Sequence, residues 1–377
     1  MLVKTALRMM VHEAPRYSGA VFGVSLALFL VLLQSGFYFG FKRDITVVQD
    51  SFAADLWVVP KALLTFEYAP HFDDAAYWKV LSVPGVSRAS RVVFDWSKWR
   101  IPATGAKENV LVLGTDFASG IAFDLGKSYP GVEALLRPDG HVLVDEKDAA
   151  KLGVERDGRD AEMQGHRVKV VGFVRGKKLF TTACLVVTDL ANAQRLLDMR
   201  PQHVSFIALN CCPGTQARQV AQRLRLAVPE HSVMTGRELH DLTQRYWESR
   251  TGIGPILFLS AGLAALTGFL TVLLTFYLLT VQKLPVFAAM KALGASAGEI
   301  AALMALQVGL VFAAGAALAA VAVALALGAL GRTHISVVIT TSTWLTVFGI
   351  IALACALACL PSVWKIRRLE PAEAFRA

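Results

Sequence analysis

Residues 282–300, QKLPVFAAMKALGASAGEI, are a short segment with polar residues between two long apolar runs. Residues 256–281 before it and residues 300–330 after it contain no charged side chain. A helix needs roughly 20 apolar residues to cross the hydrocarbon core of a bilayer. Both runs are therefore long enough to span a membrane, and the segment between them forms a loop at one membrane surface.

The segment carries helix signals of its own. Proline is favoured in the first turn of a helix and glycine just past its end, which are the places that Pro285 and Gly294 would take. Ser296, with Glu299 three residues later, predicts a capping box that begins the next helix. The sequence therefore predicts a separate helix of about nine residues, roughly 14 Å long. Helical spacing places four apolar side chains on one side of it, namely Val286, Phe287, Met290 and Leu293. Such a face predicts docking to another protein; a helix lying in the lipid interface is the alternative.

The basic residues indicate which side of the membrane this loop faces. The net charge is +9, but the basic residues are scattered and form no stripe with aromatic residues, which argues against nucleic-acid binding. Lys and Arg are in excess in cytoplasmic loops, and only Arg332 lies in residues 331–342. Nine other basic residues that flank the apolar runs lie in the loop and in the two terminal segments, so we expect the loop and both termini in the cytoplasm. These residues are Lys4, Arg8, Arg16, Lys283, Lys291, Lys365, Arg367, Arg368 and Arg376.

These patterns predict an α-helical membrane protein with four transmembrane helices and a large α+β extracytoplasmic domain between helices 1 and 2. Residues 1–17 are predicted to form an amphipathic segment at the start of the chain, for which a frayed tail is the alternative. The predicted segments are a cytoplasmic amphipathic N-terminal segment (1–17), transmembrane helix 1 (18–41), the extracytoplasmic domain (42–250), transmembrane helix 2 (255–281), the cytoplasmic loop (282–299), transmembrane helix 3 (300–330), a short extracytoplasmic loop (331–342), transmembrane helix 4 (343–364) and a cytoplasmic tail (365–377).

The extracytoplasmic domain has the composition of a folded soluble domain. Residues 204–210, 215–226 and 231–234 predict a strand, a helix and a strand, which indicates an α/β lobe. A β-rich lobe at about residues 138–190 interrupts it. Residues 236–249 predict a polar helix that runs straight into the second span as a rigid stalk, since the Gly and Ser content expected of a flexible linker is missing.

Three stretches resemble a known family. FAAMKALGAS at residues 287–296 and LEPAEAFR at residues 369–376 resemble the cytoplasmic loop and the C-terminal signature of FtsX-like, MacB-type ABC transporter permeases. HVLVDEKDAAKLGV followed by HRVKVVGFV, within residues 141–174, resembles part of the MacB-type periplasmic core, which implies a two-lobed domain. The family usually has an acidic residue where Val286 stands. The resemblance implies a coupling helix that inserts into a separate ATPase subunit and carries Pro285, Val286, Phe287, Met290, Lys291, Leu293 and Gly294.

The resemblance also implies a function. We expect the permease subunit of a bacterial inner-membrane ABC transporter, a homodimer that transmits ATP-driven movement to the outside domain and exports a hydrophobic or lipid-like substrate. The four-span layout with a separate ATPase is most similar to DevC-type permeases, which implies a periplasmic adaptor protein as a partner. An FtsX-like regulator of cell-wall hydrolases and a lipoprotein-releasing permease are the alternatives.

No catalytic or cofactor-binding motif was found in the sequence. Gly126-Lys127-Ser128 resembles the end of a phosphate-binding loop, but Ile121 stands where the loop needs its first glycine. The eight histidines show no paired ligand spacing. We therefore expect neither enzymatic activity, nor a metal, nor a cofactor in this chain; ATP would bind the partner subunit.

Two further patterns concern packing and cysteine chemistry. Small residues at every fourth position of the third span predict close helix packing in the membrane, although an alanine-rich run produces such stripes by composition alone. Their positions are Ala316, Ala320, Ala324 and Gly328. Outside the cytoplasm thiols can be oxidised, and we hypothesise a disulfide from Cys184 to Cys211 or Cys212.

Overall fold

A computed structural model describes residues 12–155, 158–181, 183–330 and 336–368 of the chain. The chain divides into two compact units. One comprises the described parts of Met1–Gly40 and Gly254–Ala377, and the other is Phe41–Ile253. Most of the predicted N-terminal segment, the position of Arg332 and the LEPAEAFR signature lie outside the described residues.

The helices and strands follow one another in this order: α1 Ala14–Asp44, β1 Leu56–Pro60, β2 Phe72–Asp73, α2 Ala75–Leu81, β3 Val86–Arg100, β4 Lys107–Thr115, α3 Val132–Leu136, β5 His141–Asp145, β6 Asp160–Met163, β7 His166–Val174, β8 Cys184–Asp189, α4 Leu190–Leu196, β9 His203–Val204, β10 Phe206–Cys211, α5 Ala217–Ala227, β11 His231–Thr235, α6 Gly236–Arg245, a π-helix Tyr246–Arg250, α7 Ile253–Ala292, α8 Ala297–Leu330 and α9 Thr341–Arg368. Short 3-10 turns lie at Gln49–Ser51, Phe66–Tyr68 and Phe117–Ser119.

The Phe41–Ile253 unit is built on one nine-stranded sheet with the strand order β11-β1-β10-β3-β4-β8-β5-β7-β6. The end of β3 also pairs with β6, where Trp99 lies opposite Met163. This pairing closes six strands, β3 to β8, into a ring. The strands predicted at residues 204–210 and 231–234 are present as β10 and β11, and the predicted lobes share β3 and a single sheet. Two apolar cores, one on each face, hold the sheet.

The strand order explains why the predicted disulfide is wrong. Cys184 lies on β8 and Cys211 at the end of β10, and β3 and β4 run between them. Neighbouring strands are about 4.8 Å apart, so the two cysteines are separated by roughly 14 Å along the sheet. A disulfide needs Cα atoms closer than about 7 Å. All three thiols, including that of Cys212, are free.

In the other unit, α1 packs with α7, α8 and α9, and α8 and α9 also contact each other. Its residues Ala20, Val24 and Leu28 are buried together with residues of α7, α8 and α9. A Cβ atom added to Gly268 of α7 would lie 3.0 Å from Ala27, and one added to Gly315 of α8 would lie 2.9 Å from Val24. Glycine at these two positions therefore permits the close approach of α7 and α8 to α1.

Of the predicted small residues of α8, only Ala316 packs against the apolar core of this unit. Gly315, Ala319 and Val323 are buried, whereas Ala316 and Ala320 are half-buried and Ala324 and Gly328 are exposed. Apart from the backbone of α8 itself, no atom of the described residues lies within 4 Å of a Cβ placed on Gly328. The predicted stripe is displaced by one residue because the alanine-rich sequence offers several equivalent stripes, and the contact with Val24 selects one of them.

Three helices of the described residues are long and apolar enough to cross a membrane: Tyr17–Asp44, Ile253–Thr275 and Gly298–Leu330. The apolar stretch Thr341–Leu357 of α9 is shorter. The four-span count stays a prediction. The predicted continuous stalk is wrong, since α6 and the π-helix end at Arg250 and α7 begins at Ile253, with Gly252 between them at φ +75. Glycine reaches this left-handed conformation without steric cost and so interrupts the helix.

Candidate functional site, the hairpin between α7 and α8

The predicted loop forms the tip of a helical hairpin, but it contains no separate helix. Helix α7 continues through Pro285 to Ala292. Proline has no N–H, so the carbonyl of Val281 lacks its helical donor and one hydrogen bond of the ladder is missing. The prediction is wrong because the apolar run before Pro285 and the Ala288-Ala289 pair after it favour helix on both sides. A single missing hydrogen bond does not end it.

The turn itself has the predicted chemistry. Gly294 has φ +97, a conformation that side-chain-bearing residues rarely adopt. The Ala295 N–H donates to the Met290 carbonyl at 3.0 Å, which satisfies an end of α7. Ser296 and Glu299 then form the capping box, with Ser296 N–H to Glu299 Oε2 at 2.9 Å and Glu299 N–H to Ser296 Oγ at 3.2 Å. Both signals read from the sequence are confirmed.

The inner side of the hairpin is a small apolar core. Phe287 is only 1% exposed and packs with Ile300 and Met304 of α8. Met290 and Ala295 are partly buried against this core. Phe287 and Met290 were predicted as docking residues, and this is wrong for Phe287 because the turn at Gly294 folds α8 back onto it.

The outer side keeps a smaller apolar face. Leu293 is 89% exposed and Val286 40% exposed. Pro285 and Ala289 beside them are also exposed. Lys291 is half-buried, and Gly294 lies exposed at the tip. The predicted coupling residues thus divide between this face, which we call the hairpin face (Pro285, Val286, Ala289, Leu293), and the core beneath it.

Lys283 is a candidate functional residue that the sequence analysis used only as one of the charges that indicate the membrane topology. Its side chain is 3% exposed. The Nζ donates to the Tyr17 hydroxyl at 2.5 Å, lies 3.5 Å from Glu13 Oε2 and lies 4.7 Å from the centre of the Tyr17 ring. A buried ammonium needs such partners, because an uncompensated buried charge is strongly destabilising. Lys283 therefore fixes α7 to the start of α1 next to Pro285. The available signal was that Glu13, Tyr17 and Lys283 all lie in segments predicted to be cytoplasmic.

A second set of polar contacts holds α6 and the π-helix to the sheet domain. The Trp247 indole N–H donates to Glu67 at 2.7 Å. Thr243 donates to Gln49 at 3.0 Å, and His240 lies 2.9 Å from Asp50. Burial raises the pKa of Glu67 to about 7, against the opposing effect of the Trp247 hydrogen bond. The helical segment before α7 is thereby bound to the domain.

In the described part of the chain, no three His, Cys, Asp or Glu side chains lie close enough together to hold a metal ion.

The comparisons with known proteins concern both units. The family model described as "MacB-like periplasmic core domain" matches residues 18–227, and the model described as "FtsX-like permease C-terminal" matches residues 258–371. None of the curated proteins compared with the chain gives a significant match.

Solved structures were also compared with the chain. The extracellular domain of the noncanonic ABC-type transporter YknZ from Gram-positive bacteria is 13% identical with a TM-score of 0.37, covering 48% of this chain and 98% of that one. The periplasmic region of MacB from Actinobacillus actinomycetemcomitans is 9% identical with a TM-score of 0.38, covering 52% and 96%. A domain of a permease protein from Porphyromonas gingivalis is 15% identical with a TM-score of 0.32, covering 49% and 85%.

Proposed function

Because the chain belongs to the FtsX-like, MacB-type family of ABC transporter permeases, we propose that it couples ATP hydrolysis by a separate subunit to conformational change in the Phe41–Ile253 domain. Members of this family are membrane-embedded, non-catalytic subunits that act with an ABC ATPase. In more detail, we propose that the chain transmits ATP-driven movement mechanically and that this movement drives export of a hydrophobic or lipid-like substrate. It includes a homodimer, an adaptor protein as in DevC-type systems, and cytoplasmic termini at the inner membrane.

The observation that carries the proposal is the two-sided construction of the hairpin. Its outer side presents Leu293 and Val286 to solvent, while Phe287 is buried beneath them. An exposed apolar face on a supported element is typical of a protein-docking site. The buried core keeps the face in shape, so a force applied to it moves the hairpin rather than deforming it.

The continuity of α7 supports transmission from this face. Forty residues, Ile253–Ala292, form one helix, which at 1.5 Å per residue extends about 60 Å. A helix this long moves largely as a unit, since its internal turns, apart from the one that Pro285 interrupts, are held by backbone hydrogen bonds. Displacement of the hairpin face is then carried along α7 toward Ile253, and Lys283 ties the same movement to α1.

The proposal is tested by capturing the tagged chain from cells that also express its ATPase partner, and by measuring ATP turnover of the complex. We expect the ATPase to be retained and its turnover to depend on the chain. Gly294→Pro should abolish this dependence, because the φ of proline is fixed near −65° and cannot reach +97. Gly298→Ala is the matched control, since the nearest atom to its new Cβ, Ser296 Oγ, is 3.9 Å away. A wild-type chain that neither retains nor affects an ABC ATPase would contradict the proposal.

A further inference from the structure

A cleft of about 210 Å³ lies between the segment after β1 and the surface of α6 and the π-helix. One side is apolar and the other is cationic and aromatic. The apolar side is formed by Leu63, Leu64 and Leu242, and the polar side by Arg245, Tyr246 and Arg250. Leu64 is 50% exposed at the rim although it is a large apolar residue.

The charge of the cleft is positive. No Asp or Glu is among the residues that line it, and both arginine side chains are exposed. The neighbouring carboxylates have other partners. Glu248 pairs with Lys42 at 3.1 Å, and Glu67 accepts the Trp247 hydrogen bond at 2.7 Å. The cleft therefore combines an apolar wall with two guanidinium groups, which bind phosphate and carboxylate in a forked geometry.

The chain itself limits how far Arg250 lies from the start of the membrane span. Arg250 is three residues before Ile253, where the membrane-spanning part of α7 begins. A fully extended chain covers at most about 3.6 Å per residue, so the Arg250 Cα lies within about 11 Å of the start of the span. The headgroup region on each side of a hydrocarbon core is roughly 5–8 Å thick. Arg250 is thus within reach of the lipid phosphates, and Arg245 lies five residues earlier on the same helical segment.

We propose that this cleft binds an anionic phospholipid, with the phosphate held by Arg245 and Arg250 and the upper part of an acyl chain against Leu63 and Leu64. The Tyr246 side chain, which also lines the cleft, can donate its hydroxyl hydrogen to a phosphate oxygen. A bound lipid anchors the π-helix to the bilayer beside the break at Gly252. The proposal goes beyond ATPase coupling and does not depend on it.

Native mass spectrometry of the delipidated, detergent-solubilised full chain tests the proposal. Phosphatidylglycerol is the probe, phosphatidylcholine the zwitterionic comparison, and glycerol phosphate the soluble headgroup. We expect phosphatidylglycerol to bind more tightly than either. The double variant R245Q/R250Q should weaken its binding by about 30-fold, because each Lys or Arg near an anionic lipid contributes roughly a factor of five. Leu64→Ser should weaken phosphatidylglycerol binding and leave glycerol phosphate binding unchanged.

The matched control is R218Q/R237Q, which removes the same charge from exposed positions of α5 and α6 outside the cleft. It should bind phosphatidylglycerol as the wild type does, and thermal unfolding shows that each variant is folded. Three results would overturn the proposal. They are wild-type binding by R245Q/R250Q, an equal loss in the control, and glycerol phosphate binding as tight as phosphatidylglycerol binding, which would indicate a phosphate site rather than a lipid site.

Discussion

Replacing the two exposed apolar residues of the hairpin face, Val286→Ala together with Leu293→Ala, is the sharpest test of ATPase coupling. Burial is worth about 0.8 kcal/mol per CH₂ group. Leu293→Ala removes three carbons from a side chain that is 89% exposed in the free chain, and Val286→Ala removes two from one that is 40% exposed. If docking covers both residues, the variant loses about 2 to 3 kcal/mol of binding free energy. The dissociation constant of the ATPase then rises about 30- to 150-fold.

The assay compares this variant with Phe287→Ala. The chain is immobilised in detergent, the dissociation constant of the ATPase is measured by biolayer interferometry, and thermal unfolding is recorded in parallel. Val286→Ala/Leu293→Ala should lower the unfolding temperature only slightly, since Leu293 is 89% exposed and only two carbons are removed from the partly buried Val286. Phe287→Ala should lower the unfolding temperature, because it opens a cavity in the core with Ile300 and Met304. Such a loss typically costs about 3 to 5 kcal/mol of stability.

Two outcomes would refute the reasoning. Wild-type ATPase affinity in the double variant would mean that the hairpin face lies in lipid or in solvent. A loss of affinity that always accompanies a loss of stability would mean that the variant perturbs the fold and not an interface. Only weaker binding with little loss of stability supports docking through Val286 and Leu293.

Three further predictions concern the rest of the chain. The pKa of Glu67 in the folded state, about 7, lies above its ordinary value of 4.5, so its contribution to stability is present below pH 4.5 and is lost as the pH rises through 7. The unfolding temperature of the wild type, monitored by tryptophan fluorescence, should therefore fall between pH 5 and 8, and Glu67→Gln should flatten this decline. An unchanged profile would count against the buried carboxyl. In native protein, maleimide should label Cys211 and Cys212 before Cys184, which is buried with its pKa raised to about 12 by burial, and denatured protein should give equal labelling with and without reductant. Reporter fusions after residues 120 and 336 should report an extracytoplasmic position and those after 294 and 377 a cytoplasmic one; a cytoplasmic result at residue 120 would contradict the topology.

Local signals in the sequence predicted the hairpin turn correctly because their physics is local. Gly294 has a positive φ, and the Ser296–Glu299 capping box joins groups only three residues apart. The strands of the Phe41–Ile253 domain were predictable for the same reason, since alternating apolar residues and β-branched residues indicate a strand within a stretch of a few positions. None of these features depends on a distant part of the chain.

The errors arose where a distant contact decides the result. Helical spacing placed Phe287 and Leu293 on one side of a short helix, but the return of α8 buries the first and leaves the second exposed. The disulfide hypothesis needed Cys184 and Cys211 to lie close together, whereas the sheet places two other strands between them. In α8, the contact of Gly315 with Val24 selected one alanine stripe among several. Periodicity predicts which residues share a face, but it does not predict what covers the face.

The places where this chain can bend are also set by hydrogen bonds. Lys283 binds α7 to Tyr17 and Glu13, and Trp247 binds the π-helix to Glu67. Breaking either contact would leave a buried polar group without a partner, which typically costs about 1 to 3 kcal/mol and more for a charge. Pro285 and Gly252, by contrast, lie where the helical ladder is already interrupted, so bending there loses little. We therefore expect α7 to change direction at Pro285 and Gly252 as it transmits movement from the hairpin face, with the anchored helical segments between and beside them moving as rigid pieces.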